Sequence, residues 1–280
     1  MRPELELCCG TVIQADLPNL IQVAGEAGFG AITTNPTHYG NAGLSDAELR
    51  ARLRDGGVRV TNIDGFCGGL PGAPTGAAIE TYRNFNGRDV SRAFTTPEDE
   101  FYRTAEALGA ESVNLVHFGA DPATPFDALL EATAAICGRA ARHGVRIVLE
   151  FLPGTGIPDI GTAAALVAQA GAANLGIMFD TRHLARSGGS TPDVARHADA
   201  IQAVQFSDLR WSTRDDPNRL LPGEGDLPLA DFLALILEAH PTIPVGIEVF
   251  SERLAQMTAQ DAARASVESL NSLVGRLDGR

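Results

Sequence analysis

Four short apolar runs in the second half of the chain end on residues that can bind or move protons. VLEF carries Glu150, MFDTRH carries Asp180 and His183, VQFSD carries Gln205 and Asp208, and GIEVF carries Glu248. Runs of this length read as buried strands. If the strands are parallel neighbours, their ends lie at one edge and the polar residues meet there. Three carboxylates brought together in that way, Glu150, Asp180 and Glu248, would repel one another and resist ionisation. A divalent cation removes the conflict. Carboxylate and amide oxygens suit Mg²⁺ or Mn²⁺, and an added imidazole admits Zn²⁺, Co²⁺ or Fe²⁺. A lone strand-end carboxylate is more often a helix cap or an ion-pair partner. Four such residues at equivalent places on consecutive strands are hard to explain in that way.

The elements that would position them recur along the whole chain. Eight runs read as strands, at 5–10, 29–34, 58–64, 112–118, 146–151, 175–180, 203–208 and 245–250. Helical periodicity separates them. Phe126, Leu129, Leu130, Thr133, Ile136, Cys137 and Ala140 share one face, as do Val267, Leu270, Val274 and Leu277. Ser45 with Glu48 forms a capping box, and Pro97 followed by acids marks another helix start. Strands buried on both faces and alternating with helices imply a parallel sheet. Eight such units in 280 residues imply a single (β/α)8 barrel over 1–280. A doubly wound open sheet is the alternative, but no GxGxxG opens a first helix. The glycine-rich stretch 65–96 breaks the rhythm and is expected to be a lid or an oligomer contact.

Composition narrows the partners. The net charge is −13, which repels polyanions, so neither nucleic acid nor an anionic membrane is expected. Four cysteines without a CxxC make no disulfide framework, and MRPELELCCG lacks the apolar core of a signal peptide. A reducing cytoplasm is the expected location. The uncharged run 160–179 has the length of a membrane span, but AGAANLG divides it into a helix and a strand.

The stretches IVLEFLP, GIMFDTRHLARSGG, VQFSDLR, NRLLPGEGDLPLADFLALI and GIEVF, in this order, resemble the sugar phosphate isomerase/epimerase family with the xylose-isomerase-like TIM barrel. The resemblance implies a divalent ion held by Glu150, Asp180, Gln205 and Glu248. Many members carry His where this chain has Gln205, and hydroxypyruvate-isomerase-like members carry Gln, which favours Mn²⁺ or Mg²⁺ over Zn²⁺ or Co²⁺. It also implies that His183 and Arg219 face a small carbonyl or polyol substrate. Glu150 and Glu248 would then exchange a proton next to the carbonyl through an enediolate. Return to the opposite face gives epimerisation, return to the neighbouring carbon gives isomerisation, and loss of a β-hydroxyl gives dehydration. Members are often dimers or tetramers, so a homo-oligomer is expected.

His38 and His117 lie near the same strand ends and are candidate substrate contacts, with Tyr39, Asp64 and Trp211 as further lining. Arg182 is expected to point outward or to pair with an acid, with substrate contact as the lesser alternative, and Asp226 to cap the following helix. Three functions compete: a metal-dependent isomerase or epimerase, a dehydratase of a cyclic keto-polyol, and a sugar-binding barrel without catalysis. DNA repair on the same barrel would need more metal histidines and a basic face, and the chain has six histidines.

Overall fold

The computed structural model describes residues 2–84 and 89–277. Among them eight parallel strands close into a barrel in sequence order. They are β1 (Leu5–Leu7), β2 (Ala31–Thr34), β3 (Arg59–Phe66), β4 (Ser112–Val116), β5 (Arg146–Glu150), β6 (Leu175–Asp180), β7 (Ile201–Phe206) and β8 (Val245–Ile247). The helices are α1 (Leu17–Ala27), α2 (Pro36–Asn41), α3 (Asp46–Asp55), α4 (Arg92–Thr95), α5 (Glu98–Leu108), α6 (Phe126–Ala140), α7 (Ile160–Ala170), α8 (Thr181–Arg186), α9 (Thr191–His197), α10 (Leu229–Ala239), α11 (Glu252–Ala255) and α12 (Ala259–Gly275). All eight predicted strands are present, and the run 160–179 divides into α7 and β6. No helix among the described residues is long and apolar enough to cross a membrane.

Local chemistry explains the boundaries. Ser45 and Glu48 close their capping box on α3, and Asp16, Asp159 and Thr258 each accept a backbone N–H at a helix start. Gly109 ends α5 at φ 73°, a conformation that suits glycine.

Strand parity divides the core in two. In parallel strands, paired residues point to the same side and alternate along the chain. The outward set is apolar: Leu7, Ile32, Ile147, Leu149, Ile177 and Phe179 are fully buried, beneath the helices. The inward set is largely polar. Gln205 on β7 donates to Asp64 on β3 at 3.1 Å, a bond that crosses the barrel interior. Gly246 on β8 leaves room for Glu6, because a Cβ there would stand 2.7 Å from Glu6 Oε1.

Glu6 lies inside the N-terminal end of the barrel and accepts a hydrogen bond from the Thr61 hydroxyl. Burial pushes its carboxyl up to about 7, and Thr61 and Arg59 only partly offset this. The folded state therefore holds this proton at pH values where the unfolded chain has released it. Stability falls as pH rises from about 4.5 to about 7. Glu6→Gln removes that loss, and its expected gain over the parent is on the order of 3 kcal/mol above pH 7 and near zero at pH 4. Urea unfolding of both proteins across this range checks it. A constant difference between them would contradict the assignment.

Candidate metal-binding active site

The C-terminal ends of β3 to β8 bring the acidic residues together. Glu150 and Asp180 end their strands, Gln205 lies one residue before the end of β7, and Glu248 follows β8. All four are at least nine-tenths buried. Asp180 also caps α8, where its Oδ1 accepts from the backbone N–H groups of Arg182 (2.7 Å) and His183 (3.0 Å). That cap places His183 one turn onward, with Nε2 3.2 Å from Glu150 Oε1 and 3.7 Å from Asp180 Oδ2. Asn114 on β4 donates to Glu150 Oε2 at 2.7 Å and to Asp64 Oδ1 at 2.8 Å. Gln205 donates to Glu248 Oε1 at 3.2 Å as well as to Asp64.

Arg219 enters this cluster from the loop after β7. Its Nη1 donates to Asp180 Oδ2 (2.7 Å), Glu248 Oε2 (2.9 Å) and the Glu248 carbonyl (3.1 Å). Phe250 lies under the guanidinium, 4.9 Å from ring centre to carbon. Burial alone would lower Arg219, but Asp180, Glu248 and Glu150 hold it above its usual value. Burial raises the Asp180 carboxyl, but Arg219 and His183 outweigh it and the net shift is downward. Burial pushes Glu248 well above the carboxylate range despite Arg219, with Asp64, Glu150 and Asp180 adding to the rise. Asp64 is pushed up to about 6 by burial and Glu150.

The residues present fit a divalent cation. Glu150, Asp180 and His183 each offer a ligand atom, and these atoms lie within 4.8 Å of one another. Gln205 Oε1 and His183 Nδ1 are buried without partners among the described residues. Of the predicted ligands, Glu150 and Asp180 belong to this close group. Glu248 joins Asp180 through Arg219, and Gln205 joins Glu248 by its amide. His183, expected as a substrate contact, stands at ligand distance from the same group.

The chain belongs to the xylose isomerase-like TIM barrel family. The family model matches residues 21–273. The chain is 28% identical over 213 residues to a putative hydroxypyruvate isomerase of Streptomyces coelicolor, covering 71% of this chain and 72% of that one. It is 29% identical over 279 residues to a 3-dehydroshikimate dehydratase of Pseudomonas aeruginosa, covering 94% of this chain but 40% of that protein. The crystal structure of the IOLI protein with a binding zinc atom has the same fold, with a TM-score of 0.80 at 15% identity over 99% of both chains.

Other predicted residues take different places in this xylose isomerase-like barrel. His117 is fully buried, and both its ring nitrogens are engaged by backbone. Nδ1 accepts from Gly156 N–H at 3.2 Å, so the proton sits on Nε2, facing the Pro71 carbonyl at 2.8 Å. This ring ties Pro71, in the part of the glycine-rich stretch that precedes residues 85–88 (which lie outside the described residues), to the loop after β5 and has no nitrogen left for a substrate. Within that stretch, Tyr82 and Phe94 pack against Phe118. His117→Ala is expected to cost about 2–4 kcal/mol by leaving a cavity and two unpaired backbone groups. Hydrogen exchange should quicken around Pro71 and Gly156, with bound metal unchanged. Burial lowers the His117 pKa, so its contribution is present above about pH 6.5 and is lost as pH falls below that value.

His38 lies half-buried on α2 and makes no side-chain hydrogen bond to the acidic cluster among the described residues. Tyr39 donates to Asp46, and Trp211 is half exposed. Asp226 does not cap α10. Its Oδ2 accepts from Trp211 N–H, and the helix starts after Pro228 without a side-chain cap. Arg182 is neither outward nor paired with an acid. It is 5% exposed, and its Nη2 donates to the backbone carbonyl of Asp216 at 2.6 Å. Asp208 is 1% exposed and accepts from the backbone N–H groups of Leu209, Gly223, Gly225 and Leu227. The PGEG loop is thus wrapped around one carboxylate. Asp64, expected as lining, belongs to the site, and so does Asn114, which the sequence reading did not single out. The signal for Asn114 was strand parity, since it alternates with the outward Val113 and Leu115.

Proposed function

We propose that the chain is a divalent-metal-dependent isomerase or epimerase of a small sugar, keto-polyol or hydroxy-keto acid. The observation that carries this reading is the convergence of Glu150, Asp180, Glu248 and His183 in one buried cluster whose charge Arg219 only partly neutralises. Glu150, Asp180, Glu248 and either Gln205 or His183 would hold the ion, with Mn²⁺ or Mg²⁺ preferred and Co²⁺ or Zn²⁺ accepted. The ion would act as a Lewis acid towards a substrate carbonyl and its neighbouring hydroxyl. Glu150 and Glu248 take the proton from the carbon beside the carbonyl and return it. Asn114 holds one oxygen of Glu150 and leaves the other towards His183, while Gln205 fixes Glu248. These neutral amides orient the carboxylates without adding charge. Arg219 supplies a fixed cation beside Asp180 and Glu248, and its planar fork suits a developing enediolate. The similarity to the isomerase of Streptomyces coelicolor, over comparable shares of both chains, supports the assignment.

Dehydration of a cyclic keto-polyol is the second reading, favoured by the similarity that spans 94% of this chain with the Pseudomonas aeruginosa dehydratase. The two part after a shared first step. Metal per chain is measured by mass spectrometry after reconstitution with Mn²⁺, in the parent and in Glu248→Gln. Products from hydroxypyruvate and 3-dehydroshikimate are then followed by NMR and ultraviolet absorbance. Near-stoichiometric metal in the parent, much less in the variant, and an isomerised product without a new enone support the first reading. A conjugated product supports the second. Absence of metal after reconstitution overturns both.

A further inference from the structure

Arg182 is a buried arginine that makes no ion pair among the described residues. Its side chain is fixed by a single neutral acceptor, the Asp216 carbonyl at 2.6 Å, and its Nη1 is buried with no partner among the described residues. The surrounding charges make this worse. Two further cations, Arg219 and Arg186, act on it more strongly than the acids Asp180 and Asp216. Those acids have other partners: Asp180 is held by Arg219 and its helix cap, and Asp216 Oδ1 accepts from Asn218. Arg182 also lies in the first turn of α8, where backbone dipoles favour an anion over a cation. A desolvated guanidinium with an unused donor is costly unless an anion completes it.

We infer that Arg182 forms an anion subsite beside the acidic cluster that takes the carboxylate of a keto-acid substrate. This rests on the reading of the cluster as a site for small keto compounds, and narrows it to acids over neutral sugars. With one Nη2 hydrogen committed to Asp216, Nη1 and the second Nη2 hydrogen are left for the paired oxygens of an anion, and the carboxylate of a small keto acid supplies such a pair. The residue sets substrate choice, and the proton transfer stays with the glutamates.

Three compounds that share a hydroxyacetone unit test this: hydroxypyruvate, dihydroxyacetone and dihydroxyacetone phosphate. Their binding to the Mn²⁺-loaded protein is measured by calorimetry in the parent, Arg182→Gln and Arg182→Lys. Hydroxypyruvate should bind roughly 10- to 100-fold more tightly than dihydroxyacetone. Arg182→Gln should remove that advantage and leave dihydroxyacetone unchanged, and Arg182→Lys should keep part of it. Thermal unfolding of Arg182→Gln should occur no lower than in the parent, because an uncompensated charge has been removed. A structural arginine would behave in the opposite way. Equal binding of acid and neutral ketone by the parent, failure of hydroxypyruvate to bind, or equal loss of both ligands in Arg182→Gln overturns the proposal. An Arg182-dependent preference for the phosphate also overturns the carboxylate assignment. Arg182-dependent hydroxypyruvate binding without proton exchange in any compound leaves the subsite standing and removes the isomerase reading. Exchange without Arg182-dependent binding does the reverse.

Discussion

Glu150→Gln and Glu248→Gln are each expected to lower kcat by about 10²- to 10⁴-fold, the range for loss of a general acid or base. Both replacements keep the shape of the side chain and most of its hydrogen bonds. Asn114 still has an oxygen to donate to at position 150, whereas at position 248 the single amide oxygen can accept from Gln205 or from Arg219 but not from both, because they donate to different oxygens of Glu248. Stability should not follow activity. Burial raises the Glu248 carboxyl in the metal-free protein, so its ionised form destabilises the fold increasingly as pH rises above the ordinary carboxylate value. Glu248→Gln should therefore be at least as stable as the parent at neutral pH without metal. Loss of function with retained stability is the signature of groups kept for chemistry. Circular dichroism melts beside steady-state rates check the pair. Parallel loss of activity and stability would instead place both glutamates in the scaffold.

The largest effect on stability should come from Asp208→Ala. Four backbone N–H groups, from Leu209, Gly223, Gly225 and Leu227, point at this single carboxylate, at 2.9, 2.9, 3.0 and 3.1 Å. Each is a hydrogen bond to an ion, stronger than a neutral one. Alanine leaves all four without a partner, and an unpaired buried donor costs about 1–3 kcal/mol. Relaxation of the loop lets some donors reach water, so the expected net loss is roughly 4 kcal/mol or more. For a chain of this size that corresponds to a drop in Tm on the order of 10 °C. Asp208→Asn keeps one acceptor oxygen and should lose about half as much. Limited proteolysis should cut Asp208→Ala first between Leu209 and Leu227. An unchanged melt would show that the loop is held by other contacts. The consequence extends to the site, because Arg219 lies in the same loop and reaches Asp180 and Glu248 from it.

The barrel was legible because its outward strand faces are short runs of Leu, Ile, Val and Phe, separated by helices with visible caps. The predicted strand ends ran long. β1 stops at Leu7 where the apolar run suggested Gly10, and β8 stops at Ile247 where it suggested Phe250. Those extra residues curve into the mouth and carry Cys8, Cys9 and Glu248 with them. The carboxylates of the site were legible for a related reason, since an acid after an apolar strand stands out. Asn114 was harder to see than Asp64, which stands out near a strand end. Asn114 sits in mid-strand and resembles a satisfied core amide until its partners across the barrel are known. Glu6 looked like part of an acidic N-terminus, although it alternates with Leu5 and Leu7 and so must face inward. Asp208 shares the strand-end signature of Glu150 but has a different task, because a whole loop folds over it. Sequence spacing cannot distinguish a carboxylate that meets a substrate from one that meets four amides. Arg182 shows the same limit: its burial depends on where the loop after β7 lies.

Deuterium exchange into substrate reads proton removal at the buried acidic cluster itself. Isomerisation, epimerisation and dehydration all begin by removing a proton from the carbon next to a carbonyl. The Mn²⁺-loaded protein is incubated in D₂O with hydroxypyruvate, dihydroxyacetone and 3-dehydroshikimate, and the carbon-bound protons beside the carbonyl are followed by NMR. That signal is expected to be lost faster than in buffer with Mn²⁺ alone for at least one compound. The exchange is expected to disappear in the double variant Glu150→Gln, Glu248→Gln and after chelation of the metal. Exchange that persists in the double variant, or none above buffer with the metal bound, would contradict proton transfer by these glutamates.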